Sequence, residues 1–168
     1  GEILKKLITK KMKKLIFPFL ILGFLLTSCE NDDDVCVSGE ATPRLKIKFK
    51  SADNKVLTLD SLYLDVDYGN NNILTVVRAA KVDSALIPIR VDDAGFTELY
   101  VRKTKNGKVS KIKLNYNTTS EYVSPACGFK RLYQNLTGTL ETANPVTNVE
   151  LNQNQIINEN KAHLYLVF

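Results

Sequence analysis

Few side chains in this chain are equipped for covalent or metal chemistry. There are three cysteines (Cys29, Cys36 and Cys127), one histidine (His163), no tryptophan, and 18 acidic residues. A thiol nucleophile needs an imidazole or another base beside it, and a single histidine far along the chain is a thin basis for that pair. Cys36, Cys127 and His163 lack the paired spacing that supplies four close ligands to zinc. Asp65 and Asp67 fall on one face, about 7 Å apart along a strand, a separation that could suit the carboxylate pair of a glycosidase. Both alternate with apolar residues, however, which reads as an ordinary solvated face. No glycine-rich phosphate loop and no Gly-x-Ser-x-Gly elbow is present. These residues imply no enzyme, no metal site and no cofactor.

Cys29 has a different context. Residues 12–14 (Met-Lys-Lys) precede an apolar run of 12 residues, Leu15 to Leu26, followed by Thr27-Ser28-Cys29. A basic start, a short apolar stretch and small residues make up a secretory signal peptide. As a helix the run would cover about 18 Å, against a bilayer core of about 30 Å, and Pro18 and Gly23 weaken it further. Leu26-Thr27-Ser28-Cys29 resembles the lipobox of bacterial lipoproteins. That resemblance implies that Cys29 becomes the lipidated N-terminus, its thiol carrying the diacylglycerol. Met12 reads as the true start, with residues 1–11 as an upstream extension. The expected organisation is a signal peptide over 1–28, a lipidated acidic tether over 29–41, and a β domain over 42–168.

Charge agrees with that division. Six of the 23 basic and one of the 18 acidic residues precede Cys29, leaving 17 of each. The whole excess of +5 lies in the leader, so nucleic acid is not an expected partner. Glu30-Asn31-Asp32-Asp33-Asp34 lacks the spaced oxygen ligands of a calcium loop and reads as a solvated tether. An acidic stretch behind the lipidated cysteine also resembles the surface-export signal of Bacteroidota lipoproteins. The expected location is the outer membrane, lipid-anchored, on its periplasmic or cell-surface face.

With Cys29 acylated, Cys36 and Cys127 remain as an even pair. Outside the cytoplasm such a pair reads as a disulfide, two free buried thiols being the alternative. The loop would hold 92 residues, and closing it is worth roughly 4.6 kcal/mol as an upper figure.

Period-two alternation dominates the remainder. Leu45, Ile47 and Phe49 face one way, with Arg44, Lys46, Lys48 and Lys50 opposite. Leu62, Leu64, Val66 and Tyr68 alternate with Tyr63, Asp65 and Asp67. Further strand candidates are 73–77, Ile87/Ile89/Val91 with Pro88 marking a sheet edge, 96–102, 109–116, Phe129/Arg131/Tyr133, 146–151 and 162–168. Asn106-Gly107 signals a tight hairpin, and the Asn/Gln-rich stretch 152–160 a loop or poor helix. Seven to nine short strands predict an all-β fold, an antiparallel β-sandwich of immunoglobulin-like or transthyretin-like kind. The lysines of 44–50 and 109–116 would form a basic patch if those strands were neighbours. Tyr63, Tyr100, Tyr116, Tyr122, Tyr133 and Tyr165 read as core or half-buried rather than as sugar platforms. His163 reads as a structural histidine. Asp60-Ser61-Leu62 and Asp83-Ser84-Ala85 resemble the O-glycosylation site of Bacteroidota exported proteins, which makes Ser61 and Ser84 candidate modification sites.

Three segments together resemble a Bacteroidota lipoprotein family of unknown function: Cys36 with Thr42-Pro43-Arg44-Leu45, Glu121 to Phe129 with its Ser-Pro-Ala-Cys-Gly stretch, and Asn158-Glu159-Asn160 with Ala162-His163. The resemblance implies a lipid-anchored extracytoplasmic β domain with Cys36 and Cys127 paired, and it carries no activity. The expected function is a non-enzymatic binding or accessory module of the cell envelope, held to the membrane by its lipid and meeting a glycan or an outer-membrane protein. The alternative is a subunit docking on an outer-membrane transport or polysaccharide-utilisation complex through an exposed edge such as 44–50.

Overall fold

A computed structural model of the chain describes residues 1–3, 6 and 41–168. The chain divides into two compact units, Gly1–Asp34 and Val35–Phe168. In the first, Glu2, Ile3 and Lys6 are helical and exposed. No helix among the described residues is long and apolar enough to cross a membrane. The apolar run 15–26 and the Cys29 site lie outside the described residues.

The second unit is built from nine strands: β1 (Leu45–Lys50), β2 (Leu59–Asp67), β3 (Ile73–Val82), β4 (Ser84–Ile87), β5 (Phe96–Arg102), β6 (Ser110–Ser124), β7 (Gly128–Thr142), β8 (Asn148–Leu151) and β9 (Leu164–Val167). They form a four-stranded sheet in the order β4-β1-β9-β8 and a five-stranded sheet in the order β3-β2-β5-β6-β7. The fold is an all-β sandwich. Alternation decides which side chains meet between the layers. Leu45, Ile47, Phe49, Ile87, Leu164 and Leu166 come from one sheet, and Leu62, Leu64, Val66, Leu99, Val101, Ile112 and Leu114 from the other. Each such side chain, fully buried, contributes about 1.5–3 kcal/mol of transfer free energy. At one margin the layers close tightly: a Cβ on Gly138 of β7 would sit 3.0 Å from Val149 Cγ1 on β8.

Two polar turns fall where the sequence places them. Asn54 has φ +62° and donates its N–H to the Ser51 carbonyl. Gly69, Asn70 and Asn71 all take positive φ in the β2–β3 turn, a conformation that glycine and asparagine tolerate best.

Several expectations need correction. The sandwich is not wholly antiparallel, because β1 and β9 pair in parallel, Ile47 opposite Leu164. Parallel neighbours need a long connection, and here nearly the whole domain supplies it. Segment 44–50 is not an edge either, since β1 is paired on both sides, and the edges of its sheet are β4 and β8. The strand expected through Ile87, Ile89 and Val91 ends at Ile87; Pro88 lies just past this edge strand and Val91 is exposed. Asn106-Gly107 does not make a two-residue hairpin. Strands β5 and β6 are joined by residues 103–109, and neither Asn106 nor Gly107 takes the positive φ that such a turn requires. The strand expected over 73–77 runs on to Val82 as β3, a sheet edge on which Ile73 and Leu74 are about half exposed.

Candidate functional site

The loop between β8 and β9, residues 152–163, crosses one end of the sandwich. Its Asn/Gln composition disfavours a continuous helix, and the backbone is pinned at intervals instead. Ile156 is fully buried and exchanges both of its backbone hydrogen bonds with Tyr133 (2.8 and 3.2 Å). Asn154 accepts from the Leu136 N–H at 2.8 Å, and Asn152 Nδ2 donates to the Ala162 carbonyl at 2.7 Å. With one apolar anchor inward, most of the amide side chains face outward.

The same loop is fastened to the start of β1. Arg44 Nε and Nη2 donate to the two carboxylate oxygens of Glu159 at 2.8 and 2.9 Å, and the Arg44 backbone N–H adds a third bond at 2.9 Å. The guanidinium and the backbone donor hold the Glu159 carboxyl below its ordinary range. His163 is completely buried. Its Nδ1 accepts the Lys46 N–H at 2.8 Å, so the proton of the neutral ring sits on Nε2. Nε2 makes no hydrogen bond of normal geometry, although the Asn158 backbone favours its proton. Burial pushes the imidazole below its ordinary value. Lys46 Nζ reaches the carbonyls of Glu159 and Asn160.

Two open clefts flank this loop. One, of about 670 Å³, is lined by Leu151 to Gln155 and by Ile157, Asn158, Asn160 and Lys161. The other, of about 540 Å³, lies between Ala41–Arg44 and Ile157–Asn160. The first is bordered mainly by amide side chains, which both donate and accept hydrogen bonds, whereas the second sets Arg44, Asn158, Glu159 and Asn160 beside the apolar Ala41, Pro43 and Ile157. An amide-lined surface can grip a hydroxyl-rich ligand.

A model for a family of unknown function, DUF6452, matches residues 57–168. The chain belongs to that family. Neither a curated protein nor a solved structure gives a significant match. The DUF6452 region takes in β2 to β9 and the whole amide-rich loop, while Arg44 and Lys46, which clasp the loop, lie ahead of it.

Other residues singled out in the sequence fall elsewhere. Cys36 lies outside the described residues, as does the tether Glu30–Asp34. Cys127 is at the turn between β6 and β7, donates its N–H to Ser124 Oγ at 3.1 Å, and is not a free thiol. Ser61 is in β2, its hydroxyl donating to the Lys103 carbonyl; Ser84 opens edge strand β4 and donates to Asp83 at 3.2 Å. Asp65 and Asp67 have separate structural partners. Asp65 takes Arg102 at 2.9 Å and Thr75 at 2.7 Å, and Asp67 accepts the Gly69 N–H. Among the described residues, no three His, Cys, Asp or Glu side chains are grouped so as to hold a metal.

The condition for a basic patch is not met, because β1 and β6 belong to different sheets. Lys50 pairs with Glu150, and Lys111 with Glu98 and Glu141. Tyr116 and Tyr133 are buried as expected and meet edge-on at 5.0 Å. Tyr122 is not: it is 58% exposed, since β6 at that point has no second sheet above it. The amide-rich loop was visible in the sequence as a composition, but nothing in it announced the Arg44–Glu159 clasp, which joins residues 115 positions apart.

Proposed function

We propose that this chain is a lipid-anchored cell-envelope protein, a non-enzymatic binding or accessory module whose ligand surface is the amide-lined cleft of loop 152–163. The observation that carries this reading is the lining itself: Asn152, Gln153, Asn154, Gln155, Asn158 and Asn160 border one cleft of about 670 Å³, with Lys161 at its margin. A concave site with many neutral donors and acceptors suits a glycan. The lipobox order Leu26-Thr27-Ser28-Cys29 supports anchoring in the outer membrane. The engaged state of Cys127 supports a disulfide to Cys36. Ser61 and Ser84 remain candidate O-glycosylation sites, Ser84 being the better placed on its edge strand.

The test uses the full chain extracted from membranes in detergent and applied to a glycan array. Binding is expected, and it should be lost in Asn154→Ala and Gln155→Ala. An array without any hit would remove the glycan reading. Labelled palmitate should enter the protein and should not enter Cys29→Ala.

A second reading has its own observation. Edge strand β3 is ten residues long and leaves Ile73 and Leu74 52% and 49% exposed. Open, apolar edges accept another strand, which supports docking on an outer-membrane transport or polysaccharide-utilisation complex. A single stoichiometric partner in a pull-down, lost in Leu74→Lys, would favour this reading.

A further inference from the structure

The β6–β7 hairpin outgrows its sheet. Strand β5 pairs with β6 only from Ser110 to Asn115, whereas β6 and β7 continue together from Asn117 opposite Gln134 out to Ser124 opposite Gly128. Near the end of this free arm Tyr122 and Phe129 stand opposite each other, ring centroids 5.4 Å apart and edge-on. They are 58% and 68% exposed. Glu121 and Lys130 pair beside them at 3.1 Å. Cross-strand aromatic pairs steady hairpins, which explains why the rings touch but not why both stay open to solvent.

The arm is also tied to the segment that carries the anchor. Thr42 Oγ1 accepts the Arg131 N–H at 2.9 Å, so the backbone entering β1 runs against the arm. Thr42 follows Cys29 by thirteen positions, which holds the two within about 45 Å even when fully extended. If Cys36 bonds Cys127, only six residues lie between the acylated cysteine and the cysteine joined to the turn, a reach of about 25 Å.

We propose that the tip of this arm, Tyr122 and Phe129, lies in the headgroup layer of the membrane that holds Cys29. The inference rests on the lipid-anchor reading above. Aromatic rings with one polar end settle at a membrane interface, Phe129 supplies an apolar edge, and the Lys130 stem can lie along the boundary with its charge in water. The tip then acts as a second, weak foot that orients the domain and turns the sandwich's other surfaces outward.

The chain has no tryptophan, so Phe129→Trp introduces a unique fluorophore. Tyr122→Trp is a second reporter, and Ile73→Trp on the β3 edge is a control. Each full-length, acylated variant is reconstituted into phosphatidylethanolamine–phosphatidylglycerol vesicles with and without brominated lipid. Blue-shifted emission and loss of most of it to bromolipid are expected at 129 and 122, with neither at 73. Water-like, unquenched emission at 129 and 122 in a palmitate-labelled protein would overturn this inference alone. Absence of palmitate label would overturn the lipid anchor and this inference with it. Self-association in detergent that is lost in Phe129→Ser would assign the aromatic pair to a second copy of the chain, and would also overturn it.

Discussion

Lys46 and His163 hold each other twice: the Lys46 N–H donates to His163 Nδ1 at 2.8 Å, and the His163 N–H donates to the Lys46 carbonyl at 2.8 Å. The second bond continues the parallel β1–β9 pairing one step beyond the strand, and the first replaces a backbone acceptor with a ring nitrogen. A protonated imidazole would turn Nδ1 into a donor facing a donor. The fit therefore demands the neutral ring, and the amide-rich loop is closed by a group that titrates near neutrality when free.

Stability should therefore fall in acid in two stages. The folded pKa of His163 lies below its ordinary 6.5, so the unfolded chain takes up this proton first. Its contribution is complete above about 6.5 and is lost as pH drops from there toward the folded value. Glu159 lies below its ordinary 4.5 through Arg44, so its contribution is complete above about 4.5 and is lost as pH falls through the lowered folded value. Melting temperature should drop as pH falls below about 6.5, and His163→Asn, which keeps an acceptor near Nδ1, should flatten that decline. An unchanged slope in the variant would show that another group is responsible.

Arg44→Ala should cost little globally. The pair is partly exposed, and pairs of this kind contribute about 0–1 kcal/mol. Its effect should be local, with hydrogen exchange rising at Asn158 to Lys161 while the β5 and β6 amides stay protected. Equal acceleration throughout the domain would show that the clasp supports the whole fold.

Tyr133 is fully buried, packs edge-on against Tyr116, and donates its hydroxyl to the Arg90 carbonyl at 3.1 Å. Burial raises its pKa well above the ordinary 10, so the phenol stays neutral. Tyr133→Phe should destabilise by about 1 kcal/mol, the usual worth of one hydrogen bond. Tyr133→Ala should lose about 3–5 kcal/mol as a large buried ring is removed. Urea unfolding midpoints check both.

Under non-reducing conditions, a peptide containing Cys36 should co-migrate with one containing Cys127. Reduction should lower stability by up to about 4.6 kcal/mol, the chain-entropy value for a loop of this length. Unchanged urea midpoints with and without reductant would mean that the two thiols are not joined.

Most of the strands were legible because a half-buried strand writes its orientation into every second residue. Leu45/Ile47/Phe49 and Leu62/Leu64/Val66 needed nothing but their own spacing. The same rule misled at Tyr122 and Phe129, because alternation records which face a side chain shares and not whether a second layer lies above it. It also could not tell β1 as an interior strand from β1 as an edge: its outward lysines suit either place, and the parallel partner β9 comes 117 positions after Ile47.

Composition and periodicity thus sufficed for the all-β class, most of the strand positions and the polar turns, since each is a local property of neighbouring residues. Strand order, the Arg44–Glu159 clasp, the burial of His163, the separation of the two lysine-bearing strands and the free β6–β7 arm are set by contacts between residues far apart in the chain. Those contacts form only where packing of the whole core brings the segments together, so no local window of sequence contains them.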